Sequence, residues 1–485
     1  MLYDRKWLSE GEEFPPKKEA LRIEQYKNNA EHFDMHTFKE FSTLASRVIL
    51  NWEDYINFDI ILNYQRLITV KLADMVCGAF PSINAKDNTQ DEIIQTVRDA
   101  TDFDTKLYSA VIDFSRFGVA LFRIFTDEET EKGQFTCWTP TQWFPIFLND
   151  GTNRIKEHIL AWRVNMGDDI IPKWYLRVQI HPTKGGSYTS QLYAMDNNGT
   201  HVGKIVSSKI KSTGGYPCLV QCAVNIPTST NPYGTSDYAI INKLVKKGSE
   251  RLKQIGLILD QHADPSMCGP DSLLEPDDHG ELVLKIKKFY ALGPDEVEPK
   301  YITWDGKLDA AFKELEIILN QLYILSEMGN AFLGNTDGNG QAISGTAMRY
   351  KMISPLCKAR RVCNSLTLPL KKLMSLLLKY EDVELDYKDI SIKWEDSLPK
   401  DPREQAELLR LQTGSPQIVP LEIALKEQFD MTDVEAQAWI KMIEKDQQMY
   451  QVDNDTDINP RKKGSNLATT GGPENATGTQ NKKQV

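Results

Sequence analysis

Eight Lys or Arg residues lie between Ser344 and Tyr380 with no Asp or Glu among them, in a chain whose formal net charge is −11. Charge of one sign must meet an opposite charge or stay hydrated, so the block reads either as a surface for a polyanion or as a solvated helix face. Just before it, residues 329–340 hold four glycines and the polar residues Asn335, Thr336, Asp337 and Asn339. A polar loop feeding a basic helix suggests a surface that handles a polyanion, nucleic acid being one such partner. The acidic whole excludes a protein that coats nucleic acid through bulk charge, so such contact is local or weak.

Other constellations fall short of chemistry. Gly199-Thr-His-Val-Gly203-Lys204 is one residue short of a phosphate loop between its glycines and has no Ser or Thr after the lysine for magnesium. His32 and His36 stand at metal-ligand spacing beside Glu31 and Asp34, which on a charged helix reads as a solvated face. The run from Asp453 to Asn459 begins like a calcium loop, but Ile458 stands at the turn glycine and Gly464 at the closing glutamate. Cys218 and Cys222 read as core filling in a strand. Seven scattered cysteines give no disulfide framework and fit a reducing compartment. No catalytic, metal or cofactor site is expected, and the chain reads as a binding or structural machine, not an enzyme.

The elements that carry these residues follow from periodicity. Helices are expected after Pro15-Pro16, with Leu21, Tyr26, Phe33, Phe38 and Phe41 as apolar positions as far as about Trp52, then over 60–77 and over 90–117. Between Gly118 and Val224 alternation replaces helical spacing, as in Trp174, Leu176, Val178 and Ile180, and an antiparallel β region is expected. Asn231-Pro-Tyr-Gly-Thr-Ser-Asp237 starts a helix with Ile241, Leu244, Gly248, Leu252, Ile255 and Leu259 on one stripe. A second, with Leu308, Phe312, Leu315, Leu319 and Leu322, follows an acidic, turn-rich insert at 263–306. The two make an antiparallel hairpin tipped by a small acidic domain. The basic segment is a long helix with a buried stripe from Leu356 to Leu377, expected to bend or break near Pro355 or Pro369. A strand at 390–394, a polar helical unit at about 402–448 and a disordered tail from about 450 complete the chain. No signal peptide is read at the N-terminus, and no run of apolar residues is long enough to span a membrane.

Five strings, in order, carry a resemblance. They are Asn63-Tyr-Gln-Arg66 with Lys71-Leu-Ala-Asp74 and Gly78-Ala-Phe80; Gly118-Val-Ala-Leu with Pro140-Thr-Gln-Trp-Phe-Pro145; Asn231 to Asp237; Ser344-Gly-Thr-Ala347; and Ile392-Lys-Trp394 through Leu398-Pro-Lys-Asp401. Across residues 55–445 the chain resembles the portal proteins of tailed bacteriophages, in the branch of long non-contractile-tailed phages of Gram-positive hosts. The resemblance implies an α+β portal fold with a mixed α/β wing, a two-helix stem, a small clip, a long kinked helix and a helical crown. It implies wing at 1–235 and 384–400, stem helices at 236–262 and 307–328, clip at 263–306, channel loop at 329–343, basic helix at 344–383, crown at 401–449 and a disordered tail at 450–485. It further implies a homo-oligomeric ring, usually of a dozen subunits, at one capsid vertex of the virion, assembled in the host cytoplasm. The implied partners are double-stranded DNA, terminase, the head–tail connector, and the major capsid and scaffold proteins, with no membrane.

On that resemblance the DNA-channel residues are Asn335, Thr336, Asn339, Gln341, Lys243, Lys246, Lys247, Lys253, Arg349 and Lys351. The clip residues that dock partners are Asp271, Glu275, Asp277, Asp278 and Glu281. Neutral loop groups contact a duplex weakly and without regard to sequence, which suits passage better than a full set of phosphate ion pairs. The bases of 349–372 are expected partly to line the channel and partly to pair with acids of neighbouring subunits. The rival reading is a DNA-processing enzyme whose 344–380 helix binds substrate. A peripheral adaptor using that helix on anionic membranes is weaker, because a buried stripe already occupies the helix.

Overall fold

The computed structural model describes residues 1–34, 62–85, 87–167, 172–213, 218–263, 308–329, 350–395, 402–414, 418–429 and 436–445, with short pieces between 267 and 301. The chain divides into a large unit, Met1–Leu398, and a small one, Pro399–Val485. The fold is of the mixed α and β kind expected.

Four helices open the large unit: α1 (Lys17–Asp34), α2 (Tyr64–Cys77), α3 (Asn88–Ala100) and α4 (Phe103–Phe117). The Asn63 side chain caps α2 by accepting from Arg66 N at 2.9 Å. Where one helix was expected over 90–117 there are two. Asp102 takes the left-handed conformation (φ 50°) between α3 and α4, and the Thr101 hydroxyl donates back to Val97 O at 2.8 Å. In α1 the buried apolar positions are Ile23, Tyr26 and Phe33, joined by the polar Glu19 and Asn29, whereas Leu21 is exposed.

Two antiparallel sheets follow. The smaller has the order β3-β2-β9, from Gly133–Cys137, Val119–Thr126 and Val220–Val224; the larger has the order β4-β5-β6-β7-β8, from Ile146–Phe147, Ile155–Asn165, Trp174–Pro182, Ser187–Met195 and Val202–Ser212. The alternation read from Trp174 holds through Val178, with Leu176 and Val178 buried and Arg177 exposed, but beyond it Gln179, Ile180 and His181 are all buried and the strand is covered on both faces. β1 (Ser82–Asn84) pairs with the late strand Ser391–Lys393, Ile83 opposite Ile392, and so ties the end of the large unit back to its opening helices. The Gly199–Lys204 string, read as falling short of a phosphate loop, spans the hairpin turn between β7 and β8 and the start of β8. Gly199 sits there at φ +64°, and Asp196 accepts from Thr200 and His201. A strand-to-helix turn with free N–H groups, which a phosphate needs, is not formed.

Helices α5 (Tyr238–Ala263) and α6 (Leu308–Leu325) pack as the expected hairpin. Arg251 pairs with Glu314 across them at 2.7 Å. Between them, only short strand pieces of the insert are described: Met267–Cys268 pairs with Lys300–Tyr301, and Leu274–Pro276 with Leu282–Leu284. The basic helix α7 runs from Ile353 to Lys379. A turn at Met352 separates it from helical Tyr350 and Lys351, so the expected break falls three residues before Pro355. Pro355 lies in the first turn, where the missing donor has no partner to lose, and the helix continues through Pro369.

The main core surrounds α7. Leu366, Leu370, Leu373 and Leu377 pack with Ile68, Leu72 and Val76 of α2, Leu107 and Phe114 of α4, and Phe122 of β2. Burying each such side chain contributes roughly 1.5–3 kcal/mol. A second cluster sets Trp7, Phe14 and Phe144 against Leu176, Val178 and Ile180 of the larger sheet. In the small unit, α8 (Pro402–Thr413) and α9 (Leu421–Phe429) bury Ala424 and Leu425 and leave Leu411, Ile418 and Phe429 exposed. Among the described residues no helix is long and apolar enough to cross a membrane.

Candidate functional site

The helical hairpin meets the body at a close backbone crossing. Gly118 ends α4 at φ +83°, and Gly234 sits at φ +88° just before α5. A Cβ on Gly118 would come within 2.7 Å of Thr235 C, and one on Gly234 would strike Gly118 O. Only glycine fits both the sign of φ and the spacing. Asn225 locks the crossing: its N–H donates to Gly118 O, and its side-chain amide donates to Thr235 O, both at 2.9 Å.

This crossing delivers Asp237 to the start of α5 inside the body. The Ser115 hydroxyl donates to Asp237 Oδ2 at 2.7 Å. Lys358 of α7 reaches the same oxygen at 3.1 Å, with only 5% of its side chain exposed. Its ammonium also donates to Ser326 O at 2.9 Å, just past the end of α6. An acid at a helix N-terminus and a cation at a helix C-terminus both agree with the helix dipole.

Three residues further along α7, Arg361 grips Glu327 through both carboxylate oxygens, at 3.0 and 2.8 Å. The Ser354 hydroxyl donates to Glu327 O at 3.2 Å. Thus the start of α5 and the end of α6 are tied to the first three turns of one helix. Thr69 of α2 extends the network, bonding Tyr238 OH at 2.9 Å and Ser115 Oγ at 3.2 Å. Next to this root, a Cβ on Gly329 would lie 3.9 Å from Lys351 O. The chain therefore leaves the hairpin and rejoins α7 at one place.

Lys358 and Arg361 thus find their acids within the same chain, which corrects the expectation that those bases line a channel or reach neighbours. Arg360 and Lys351 are exposed. Lys372 lies over the Tyr387 ring at 5.7 Å. Of the channel residues, Lys243 and Lys247 are exposed on α5, and Lys246 and Lys253 are half-buried. Lys243 and Lys246, with Lys18, Arg22 and His32 of α1, line a cavity of about 710 Å³ between α1 and α5. Asn335, Thr336, Asn339, Gln341 and Arg349 lie outside the described residues, as do Asp271, Asp277, Asp278 and Glu281. Glu275 is on a two-stranded ladder opposite Val283. His36 and the tail also lie outside them.

Elsewhere the titratable groups are packed. His158 and His181 face each other in register on β5 and β6. His158 Nδ1 accepts from Trp143 Nε1 at 3.2 Å, and His181 stacks on Tyr188 with ring centroids 4.7 Å apart. Burial pushes His158 down to about 4. Burial, then the positive charge of Arg123, then His158 push His181 down to about 3. Burial raises Asp113 to about 6 against the opposing pull of Arg116. Burial holds the Cys77, Cys137 and Cys222 thiols up at about 12, far from reactive thiolates. Cys218 and Cys222 belong to one apolar cluster, as expected. Among the described residues no group of three or more His, Cys, Asp or Glu could hold a metal ion.

Fold and root together define an α+β scaffold that carries a helical hairpin on a buried polar anchor. The family model described as "Phage portal protein, SPP1 Gp6-like" matches residues 23–161 and 276–452, well over half of the sequence. The chain belongs to this family of phage portal proteins. A comparison with curated proteins finds no match. Among solved structures, the chain is similar to one in the virion of a native gene transfer agent particle, with 10% identity, 75% of this chain and 89% of that chain covered, and a TM-score of 0.45. It is also similar to chains in the neck of the empty particle computed with C6 symmetry (12% identity, 75% and 89% covered, TM-score 0.46) and in the neck of the native particle computed with C12 symmetry (10%, 75% and 89%, 0.44). At these identities, with TM-scores below 0.5, the similarity carries no functional weight.

Proposed function

We propose that the chain is the subunit of a ring, usually of a dozen copies, set at one vertex of a phage capsid, through which double-stranded DNA is packaged and ejected. The observation that carries this reading, beside the family, is the surface of the anchored hairpin. Phe312, Ile317, Ile324 and Leu325 of α6, with Ile240 and Leu259 of α5, are exposed. Apolar groups along a rigid hairpin want cover, and side-by-side copies supply it. Terminase docks on the ring during packaging and the head–tail connector afterwards. The capsid and scaffold proteins surround it, and assembly takes place in the host cytoplasm. The phage type is the long non-contractile-tailed one of Gram-positive hosts.

In this reading residues 1–235 and 384–400 are the wing, α5 and α6 the stem, 263–306 the clip, 329–343 the channel loop and 401–449 the crown. Asn335, Thr336, Asn339 and Gln341, with Lys243, Lys246, Lys247, Lys253, Arg349 and Lys351, meet the duplex. Asp271, Glu275, Asp277, Asp278 and Glu281 meet docking partners. The ring does no chemistry of its own; ATP is spent elsewhere in the motor. Use of Lys358 and Arg361 inside the chain weighs against the substrate-binding enzyme, since two of its bases are already neutralised.

Electron microscopy of the purified chain should give rings with an axial hole. Deleting Asn335–Gln341 should leave those rings intact and impair DNA packaging or retention. Normally filled heads from the deletion would overturn the channel-loop assignment, and a monomer under all assembly conditions would overturn the ring.

A further inference from the structure

β8 is the outermost strand of the five-stranded sheet. The N-terminal segment covers only its beginning: Gly11 N donates to Val202 O at 2.7 Å, and Val202 N to Glu12 O at 2.8 Å. The register further along sets Gln191 opposite Ser208, Thr189 opposite Ile210 and Ser187 opposite Ser212, and Thr213 N donates to Gly186 O at 2.9 Å. Bonded pairs alternate along an antiparallel ladder. Lys209 and Lys211 therefore bond to β7, and Ser208 and Ile210 turn their N–H and C=O groups outward.

The side chains of this edge are of two kinds. Ile205, Val206 and Ile210 are 53%, 57% and 76% exposed. Lys204, Lys209 and Lys211 are exposed beside them, and no Asp or Glu occurs between Asp196 and Asp237. An exposed edge with β-branched residues is a template for another strand. Lysines at the same positions in every copy repel a second β8 laid against the first, so the charge selects a partner of opposite sign. Phosphates would use the lysines but leave Ile205, Val206 and Ile210 uncovered. β8 also lies outside both spans matched by the family model.

We propose that β8 is a docking edge for an extended acidic segment of a partner protein, one that alternates carboxylates with apolar side chains. The segment adds a sixth strand to the sheet. It takes backbone bonds from Ser208 and Ile210, sets carboxylates against Lys204, Lys209 and Lys211, and covers the exposed apolar groups. This surface goes beyond the ring reading and does not rest on it.

The test uses the full-length chain and a fluorescent ten-residue peptide of alternating Glu and Val. Anisotropy should show saturable binding that weakens with salt. Ile210→Pro removes one outward donor and leaves the bonds to β7 intact, a substitution that edge strands tolerate. It should lower probe affinity about tenfold, the effect of one or two backbone hydrogen bonds, with the melting temperature unchanged. Lys209→Glu with Lys211→Glu should abolish binding. Hydrogen exchange on the unmodified chain gives a readout free of folding defects: the probe should slow the Ile210 amide. Equal affinity of the proline variant, no slowing at Ile210, or duplex DNA binding tightly to this edge where the peptide does not would each overturn the proposal. Electron microscopy of the same samples reads ring formation separately.

Discussion

Lys358 shows what a single residue can hold in place. Its ammonium sits between Asp237 and Ser326 O in the interior. Lys358→Met should destabilise the chain by about 3–5 kcal/mol, the cost of leaving one buried charge without its partner. Adding Asp237→Asn should recover much of that loss, and urea unfolding of both variants checks it. The acid response has a definite sign. His158 and His181 are neutral when folded and bind protons more readily when unfolded, because their folded values, about 4 and about 3, lie below the usual histidine range. Their contribution is fully present above about pH 6.5. It is lost as pH falls through that value towards the folded ones. Asp113, raised to about 6, acts oppositely, and its share is lost as pH rises through about 6. Melting temperature against pH should fall between about 6.5 and 4, and more gently in His158→Gln. The basic character of Lys358 was legible in the sequence, but its burial was not. It stands beside the Leu356–Ala359–Cys363 stripe, and its acid comes from 121 positions earlier in the chain.

Elements were legible where one pattern ruled and were lost where two competed. The strand Trp174–Pro182 and the two hairpin helices were readable because their apolar spacing is unbroken. The split between α3 and α4 was missed because helical spacing resumes after Asp102, whose left-handed backbone leaves no trace in hydropathy. β8 was missed for the opposite reason: it buries almost nothing beyond Val202 and so shows no alternation between two environments. The break expected in the basic segment falls at Met352, just before Pro355, whereas Pro369 is carried inside the helix with Leu366, Leu370 and Leu373 packed on both sides of it. At the Gly118–Gly234 crossing the glycines were visible, but not their mutual approach. Gly234→Ala should unseat the start of α5, since its Cβ meets backbone and φ is positive. Near-ultraviolet circular dichroism should register lost packing while helical content is largely kept.

At the scale of the whole molecule, what was legible was the order of parts, and what was not was the exposed apolar surface of the hairpin. Of the stripe read on α6, Leu322 is buried, Leu315 and Leu319 are half-buried and Phe312 is exposed, while Ile318 beside it is buried; Ile317 and Ile324 read as ordinary surface positions, and the folded hairpin exposes them together. Ile317→Lys with Ile324→Lys should leave the subunit folded and shift sedimentation from a ring towards monomers. The returning path at Gly329 and Lys351 has a practical corollary. Gly329 and Lys351 lie side by side, so lengthening the sequence between them does not change the gap that it must close. Foreign peptides of quite different sizes, spliced there as labels or affinity handles, should be carried without disturbing the parent architecture.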